Sequence, residues 1–175
     1  AAITTWQTQT VFLNKNANDN LSQSLITKDQ LDGQRLNEHE SLVGQAPVVI
    51  TKAAGGADKQ SAQFIGLEPD QAIAKKNIPL VSGRHARHAD ELVVDQSLRT
   101  KGYRLGEQVR LNSTADRYRI VGFAKDAQLN VAPVIYGRLA TWKTLRGVNS
   151  QVVASGIISN RLEGGERFNN LARYT

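Results

Sequence analysis

The sequence has 175 residues, 40% hydrophobic and 22% charged, with 22 Lys and Arg against 16 Asp and Glu for a net charge of +6. That balance supports a folded core and argues against a disordered chain. The absence of Cys excludes disulfides, thiolate nucleophiles and Cys-based zinc sites.

At about 1.2 times the ~150 residues of an average domain, the length fits one compact domain or two small ones. The longest apolar stretches, such as Ala46-Pro47-Val48-Val49-Ile50, fall far short of the ~20 residues that cross a bilayer. No signal-peptide pattern is present. A chain without Met is expected to be a processed product or a piece of a longer one. The charge is uneven: net −1 over residues 1–60, +3 over 61–120 and +4 over 121–175. Bases and acids are interleaved, and no basic run exceeds Lys75-Lys76. A nucleic-acid-binding arm concentrates its Lys and Arg and interleaves aromatics, so nucleic acid is not an expected partner. A solvated basic surface is the simpler reading, and anionic headgroups nearby would suit it.

In chain order, the Trp6/Thr8/Thr10/Phe12 alternation predicts a strand over residues 5–13 with one half-buried face. An Asn-rich connection follows, then a short extended piece over 24–26. Thr27 and Gln30 have the spacing of a capping box, opening a helix to about Leu36 that Gly33 weakens. Residues 45–51 read as a strand with Pro47 near its start. Residues 52–59 read as a turn containing Gly55-Gly56, and 61–67 as the returning strand of a hairpin. Pro69 suits the first turn of a helix to about Lys76. Pro79 and Gly83 then break the chain.

Residues 91–94 predict a short strand, with Glu91 facing outward. Asp95 is placed to cap a helix over 96–101 that Gly102 stops. Residues 107–111 and 117–123 read as a hairpin closed by a loop at 112–116. Residues 131–136 form a strand that Pro133 should confine to an edge. A short helix over 141–145 and a strand over 151–159 follow. The polar tail gives no assignment. Short strands and short helices without regular βαβ units make the class α+β, with antiparallel hairpins dominating.

Recognisable reaction chemistry is missing. There is no Walker A loop, nucleophile elbow or dinucleotide loop. His85 and His88 are the one close His pair and the ligand candidates for metal or haem. A metal site needs three or four ligands, and an i,i+3 pair converges only on a helix, so a solvated loop is favoured. His39, between Glu38 and Glu40, reads as a loop residue. Asp90, Glu91 and Asp95 cluster in sequence and could share acid and base roles, but a helix cap explains Asp95 more simply. Asn20-Leu21-Ser22 and Asn112-Ser113-Thr114 match a glycosylation acceptor pattern that often occurs by chance.

Several stretches, taken together and in order, resemble a family. They are Phe64-Ile65-Gly66-Leu67-Glu68-Pro69, Leu80-Val81-Ser82-Gly83-Arg84, Asp90-Glu91-Leu92-Val93-Val94-Asp95, the run from Lys101-Gly102 through Gly106 to Leu111, and Tyr118-Arg119-Ile120-Val121-Gly122-Phe123. This order resembles the MacB-like, FtsX-like extracytoplasmic core domain of ABC transporter permeases. The segment from Gln128 to Tyr136, with Trp142, most resembles the haemin-efflux branch found in Gram-positive bacteria. The likeness is good from about 64 to 145, vaguer before 64 and weak after 159.

The resemblance implies an extracytoplasmic domain between the first and second helices of a four-helix permease in the cell membrane. It implies a permease homodimer driven by a separate ATPase subunit that binds ATP and Mg, with no cofactor and no catalytic residue in this domain. It implies a discontinuous porter-like α/β lobe from residues 1–66 and 147–175, and a small β-rich inserted lobe from 67–146. Gly66 and Gly147, near that boundary, become hinge candidates. The alternatives are an extracellular haem-capture module, which the His, Tyr and Arg content would serve, and a hydrolase with an unrecognised site.

Overall fold

Residues Glu40–Lys52 form one strand of 13 residues, β3, on which the rest of the chain assembles. The computed structural model describes residues 10–55, 59–71, 73, 77–125, 128–129, 131–161, 164 and 166–174. The other strands are β1 (Thr10–Asn14), β2 (Ile26–Thr27), β4 (Gln60–Leu67), β5 (Leu80–Gly83), β6 (Glu91–Asp95), β7 (Gln108–Leu111), β8 (Tyr118–Ala124), β9 (Gln128–Leu129), β10 (Ala132–Arg138), β11 (Val152–Ala154), β12 (Gly156–Ser159) and β13 (Leu171–Tyr174). Among the described residues, α-helices with defined bounds are α1 (Lys28–Leu31) and α2 (Leu139–Arg146). The fold is α+β, as the sequence predicts: a large mixed sheet with few helices.

The 11-stranded sheet runs β13-β1-β12-β3-β4-β10-β6-β8-β5, and β7 bridges β3 and β8. The ladder β3-β4-β10-β6-β8-β7 therefore returns to β3 and closes a ring. Within it β4/β10 and β6/β8 are parallel, and the other pairs are antiparallel. Alternate residues of each strand point inward, so Val48, Ile50, Phe64, Leu92, Val94, Val109, Leu111, Ile120 and Ile135 fill the ring. The opposite face carries Ile65, Leu67, Val93, Val134 and Tyr136, covered by Ile73 and Ile78. A third cluster, Phe12, Ile26, Ile157 and Phe168, lies beside the β1 and β12 end of the sheet.

Two aromatic side chains close the ring. Trp142 of α2 is fully buried, and its indole N–H donates to the Gln45 carbonyl at 3.0 Å. Tyr103, also buried, donates its hydroxyl to the Ile50 carbonyl at 3.3 Å. Those two acceptors stand five residues apart on β3, about 17 Å along an extended chain. Gly44 and Gly66 pair across β3 and β4 directly under Trp142. A Cβ on Gly44 would lie 2.2 Å from the indole, and one on Gly66 2.7 Å from the Trp142 Cβ.

β3 changes partners along its length. Residues 40–43 pair with β12, 44–50 with β4, and 50–52 with β7. In the gap between β12 and β7, the Gln45 N–H donates to Ser155 Oγ at 2.8 Å and the Val49 N–H to Asn112 Oδ1 at 2.9 Å. Pro47 lies midway, where a missing N–H leaves nothing unsatisfied. Ser155 breaks the strand expected over 151–159 into β11 and β12, its own N–H donating to the Val43 carbonyl at 2.8 Å.

Other expectations change in detail. β10 is central rather than an edge, held by β4 from Val134 and by β6 from Ile135. Pro133 is tolerated because its ladder partner is the short strand β9. The capping box of Thr27 and Gln30 forms, but Asp32 and Gly33 at φ +53° and +68° end α1 after four residues. Asp95 caps a 3-10 turn, Gln96–Arg99, instead of a longer helix. The helix expected to begin at Pro69 does not start there: residues 69–71 form a turn and bend, and 72 and 74–76 lie outside the described residues, as do residues 5–9 of the first strand. The unassigned tail supplies β13, and it is anchored by Arg167, whose guanidinium pairs with the buried Glu40 and stacks 4.3 Å from the Phe168 ring.

Gly44→Ala forces a methyl into the indole and is expected to cost about 1–3 kcal/mol of stability. Gly147→Ala meets open space but must adopt φ +73°, costing about 1 kcal/mol. Urea unfolding followed by circular dichroism measures both; a Gly44→Ala chain as stable as the parent contradicts the packing.

Candidate functional site

The loop over residues 84–90 is organised by the carboxylate that follows it. Glu91, expected to face outward, is instead 9% exposed at its side chain. The reason is local: its oxygens have four donors within reach. Arg84 forms a two-pronged pair with it, Nη1 at 2.9 Å from Oε1 and Nη2 against Oε2. The Arg87 and His88 backbone N–H groups donate to Oε1 at 2.8 and 3.1 Å. The hydrogen bonds from Arg84, with those backbone donors, hold the Glu91 carboxyl down at about 2 from the usual 4.5, against the opposing effect of burial. From the other side, Arg138 Nη1 donates to the Arg87 carbonyl at 2.7 Å, and Thr141 Oγ1 to the Ala89 carbonyl at 2.7 Å. The loop is thereby tied to the junction of β10 and α2.

The carboxylates do not form an acid–base pair. Glu91 is committed to Arg84, and Asp95 accepts from the Ser97 N–H at 3.3 Å as a cap. Asp90 is exposed.

His85 and His88 part company. His88 is exposed. His85 is half-buried and lines a cleft, and burial pushes its imidazole below the usual 6.5, so it is neutral at pH 7. Among the described residues, no group of three His, Cys, Asp or Glu is placed to hold a metal ion.

Gly66 sits mid-ladder between Gly44 and Gly137 under Trp142. Gly147 is the left-handed cap of α2, its N–H donating to the Lys143 carbonyl at 2.9 Å.

The cleft itself has no signal in the sequence, because its walls come from five separated segments. Leu67, Pro69, Ile78, His85, Ala86, Val93, Tyr136, Gly137 and Arg138 line a half-open cleft of about 180 Å³. Its floor is the outer face of β4, β10 and β6. Its rim carries Arg138, whose Nη2 lies 3.6 Å from the Glu68 carboxylate. A more open depression of about 310 Å³ lies beyond α2, between Asp90, Arg117, Tyr118 and Thr144. Among the described residues, no helix is long and apolar enough to cross a membrane.

Glu91→Gln is expected to cost about 2 kcal/mol near pH 7, because a charge-assisted pair is lost in a nearly buried setting. A carboxylate whose folded pKa is depressed stabilises the protein above its unfolded pKa. The stability gap between the parent chain and Glu91→Gln should therefore hold above pH 4.5 and shrink as pH falls toward 2. Thermal melts of both chains across that range check it; a gap that stays constant down to pH 2 contradicts the pairing.

No family model matches the sequence, and no curated protein matches it. Solved structures do share its fold. The chain is similar to the periplasmic region of MacB from Actinobacillus actinomycetemcomitans, with a TM-score of 0.64 at 12% identity over 94% of this chain and 87% of that one. It is similar to the extracellular domain of the ABC-type transporter YknZ from Gram-positive bacteria, with a TM-score of 0.61 at 12% identity over 89% and 84% of the two chains. A domain of a putative permease protein from Porphyromonas gingivalis gives a TM-score of 0.58 at 12% identity over 91% and 78%. The fold is that of MacB-like extracytoplasmic domains.

Proposed function

We propose that this chain is the extracytoplasmic domain of an ABC transporter permease of the MacB/FtsX type. It would act without chemistry of its own, converting motion of membrane helices, driven by a separate ATPase subunit, into export of a substrate. The observation that carries this is the fold likeness to MacB over 94% of the chain, joined to the ordered motifs between residues 64 and 145. A lever needs stiffness, and β3 supplies it by running unbroken from the β1 and β12 end of the sheet into the closed ring. The permease would be a homodimer, with a porter-like lobe from 1–66 and 147–175 and an inserted lobe from 67–146. Of the two hinge candidates, Gly147 is exposed with open space at its Cβ position, whereas Gly66 is confined by paired strands and Trp142.

Haemin as the exported substrate is supported by the resemblance of the Gln128 to Tyr136 segment and Trp142 to the haemin-efflux branch. Capture by the domain itself has less behind it: the cleft holds about 180 Å³, against roughly 300–1,000 Å³ for ordinary ligand pockets.

Val131 is 92% exposed, and the chain has no Cys. In the full-length permease, Val131→Cys should therefore react with a membrane-impermeant maleimide on intact cells. Labelling that needs permeabilised cells would place the domain on the wrong side and end the proposal. Haemin titrated into the isolated chain should keep its free Soret band. A stoichiometric shift lost in His85→Ala/His88→Ala would favour haem capture instead.

A further inference from the structure

We propose that the cleft beside His85 and Arg138 is a binding site for a small monocarboxylate whose apolar body is about as large as a benzene ring. The size follows from the volume. The half-open cleft offers about 180 Å³, and an apolar cavity of about 150 Å³ is known to accept benzene. The apolar body follows from the walls, where Leu67, Pro69, Ile78, Ala86 and Val93 present hydrocarbon. Ile78, Leu67 and Val93 are themselves buried members of the cluster behind it, so the floor is preformed.

The carboxylate follows from Arg138. Its Nη1 is used by the Arg87 carbonyl at 2.7 Å. Its Nη2 reaches Glu68 only at 3.6 Å, beyond hydrogen-bond length. Its Nε lacks a hydrogen-bond partner but is buried out of a ligand's reach, so Nη2 is the donor left to the cleft. A guanidinium N–H without a full hydrogen bond favours an anionic acceptor over a neutral one. Half-buried His85 stands at the same cleft as a neutral imidazole, able to donate or accept one hydrogen bond without adding charge. Glu68 is then the intrinsic competitor: its carboxylate sits where ligand charge would be repelled. Removing that charge should strengthen binding while removing Arg138 weakens it, and a purely hydrophobic cleft would show neither effect.

Benzoate is the probe, followed by amide chemical shifts of the 175-residue chain, with benzamide as the uncharged comparison. Benzoate should shift Leu67, His85, Ala86, Gly137 and Arg138 saturably, with a Kd of about 0.1–1 mM for so small a ligand. Binding should weaken about tenfold in Arg138→Gln and for benzamide, tighten a few-fold in Glu68→Gln, and vanish in Ala86→Phe, which fills the cleft. Glu68→Gln keeps the test decisive if Ala86→Phe fails to fold. Unsaturable or scattered shifts overturn the site, as does equal binding of benzoate and benzamide. The transport proposal stands or falls separately, on the maleimide labelling.

Discussion

The fold depends on an indole packed over a pair of glycines on two neighbouring strands. Trp142 has room only because Gly44 and Gly66 face each other across β3 and β4 with no side chains. A fully buried Trp contributes about 3–5 kcal/mol by its loss on truncation, and its N–H must find an acceptor when desolvated. The Gln45 carbonyl is that acceptor. Gly137, next to Gly66 on β10, leaves the same kind of space for the Phe64 ring, 2.7 Å from where a Cβ would stand. Three aligned glycines thus form a groove across three strands, and the aromatics that occupy it fix where α2 docks. That docking decides where Arg138 and Thr141 sit, and through them the loop that Glu91 gathers.

β3 joins what would otherwise be two sheets. An edge-to-edge transition normally exposes unpaired N–H groups. Here Ser155 and Asn112 satisfy the two that remain, and Pro47 deletes the third. The break at Ser155 that divides β11 from β12 and the proline inside β3 are two halves of one solution. One continuous strand thereby links both ends of the sheet, which is what the proposed lever role requires.

The charges follow the same logic. Among the ion pairs of the described residues, those of Glu91 and Glu40 have nearly buried carboxylates with backbone donors besides their arginines. Each ties a segment with little regular structure, the 84–90 loop or the tail, to a strand end. The pair of Arg138 and Glu68 is different: longer, half-exposed and incomplete. It lies at the rim of an apolar cleft, so one molecule shows both how a carboxylate is fully committed to an arginine and how one is left replaceable.

Local chemistry is enough to find much of this in the sequence. The Thr27 and Gln30 capping box, the Asp95 cap, the left-handed Gly102 and the hairpin strands around 112–116 all rest on interactions within a few residues, and the alternation of β-branched residues marks most strands. The order of motifs between 64 and 145 points to the fold that the structure has. What tertiary structure alone decides involves partners distant in sequence. Pro133 signals an edge, yet β10 is central, because the proline falls just before two-sided pairing starts. Glu91 reads as a surface residue on a strand, yet Arg84 and two backbone N–H groups converge on it. β13 looks like polar tail, since its place beside β1 depends on Glu40 holding Arg167 across 127 residues of chain. The cleft is invisible in the sequence for the same reason: five segments that share no local pattern meet only once the ring has closed.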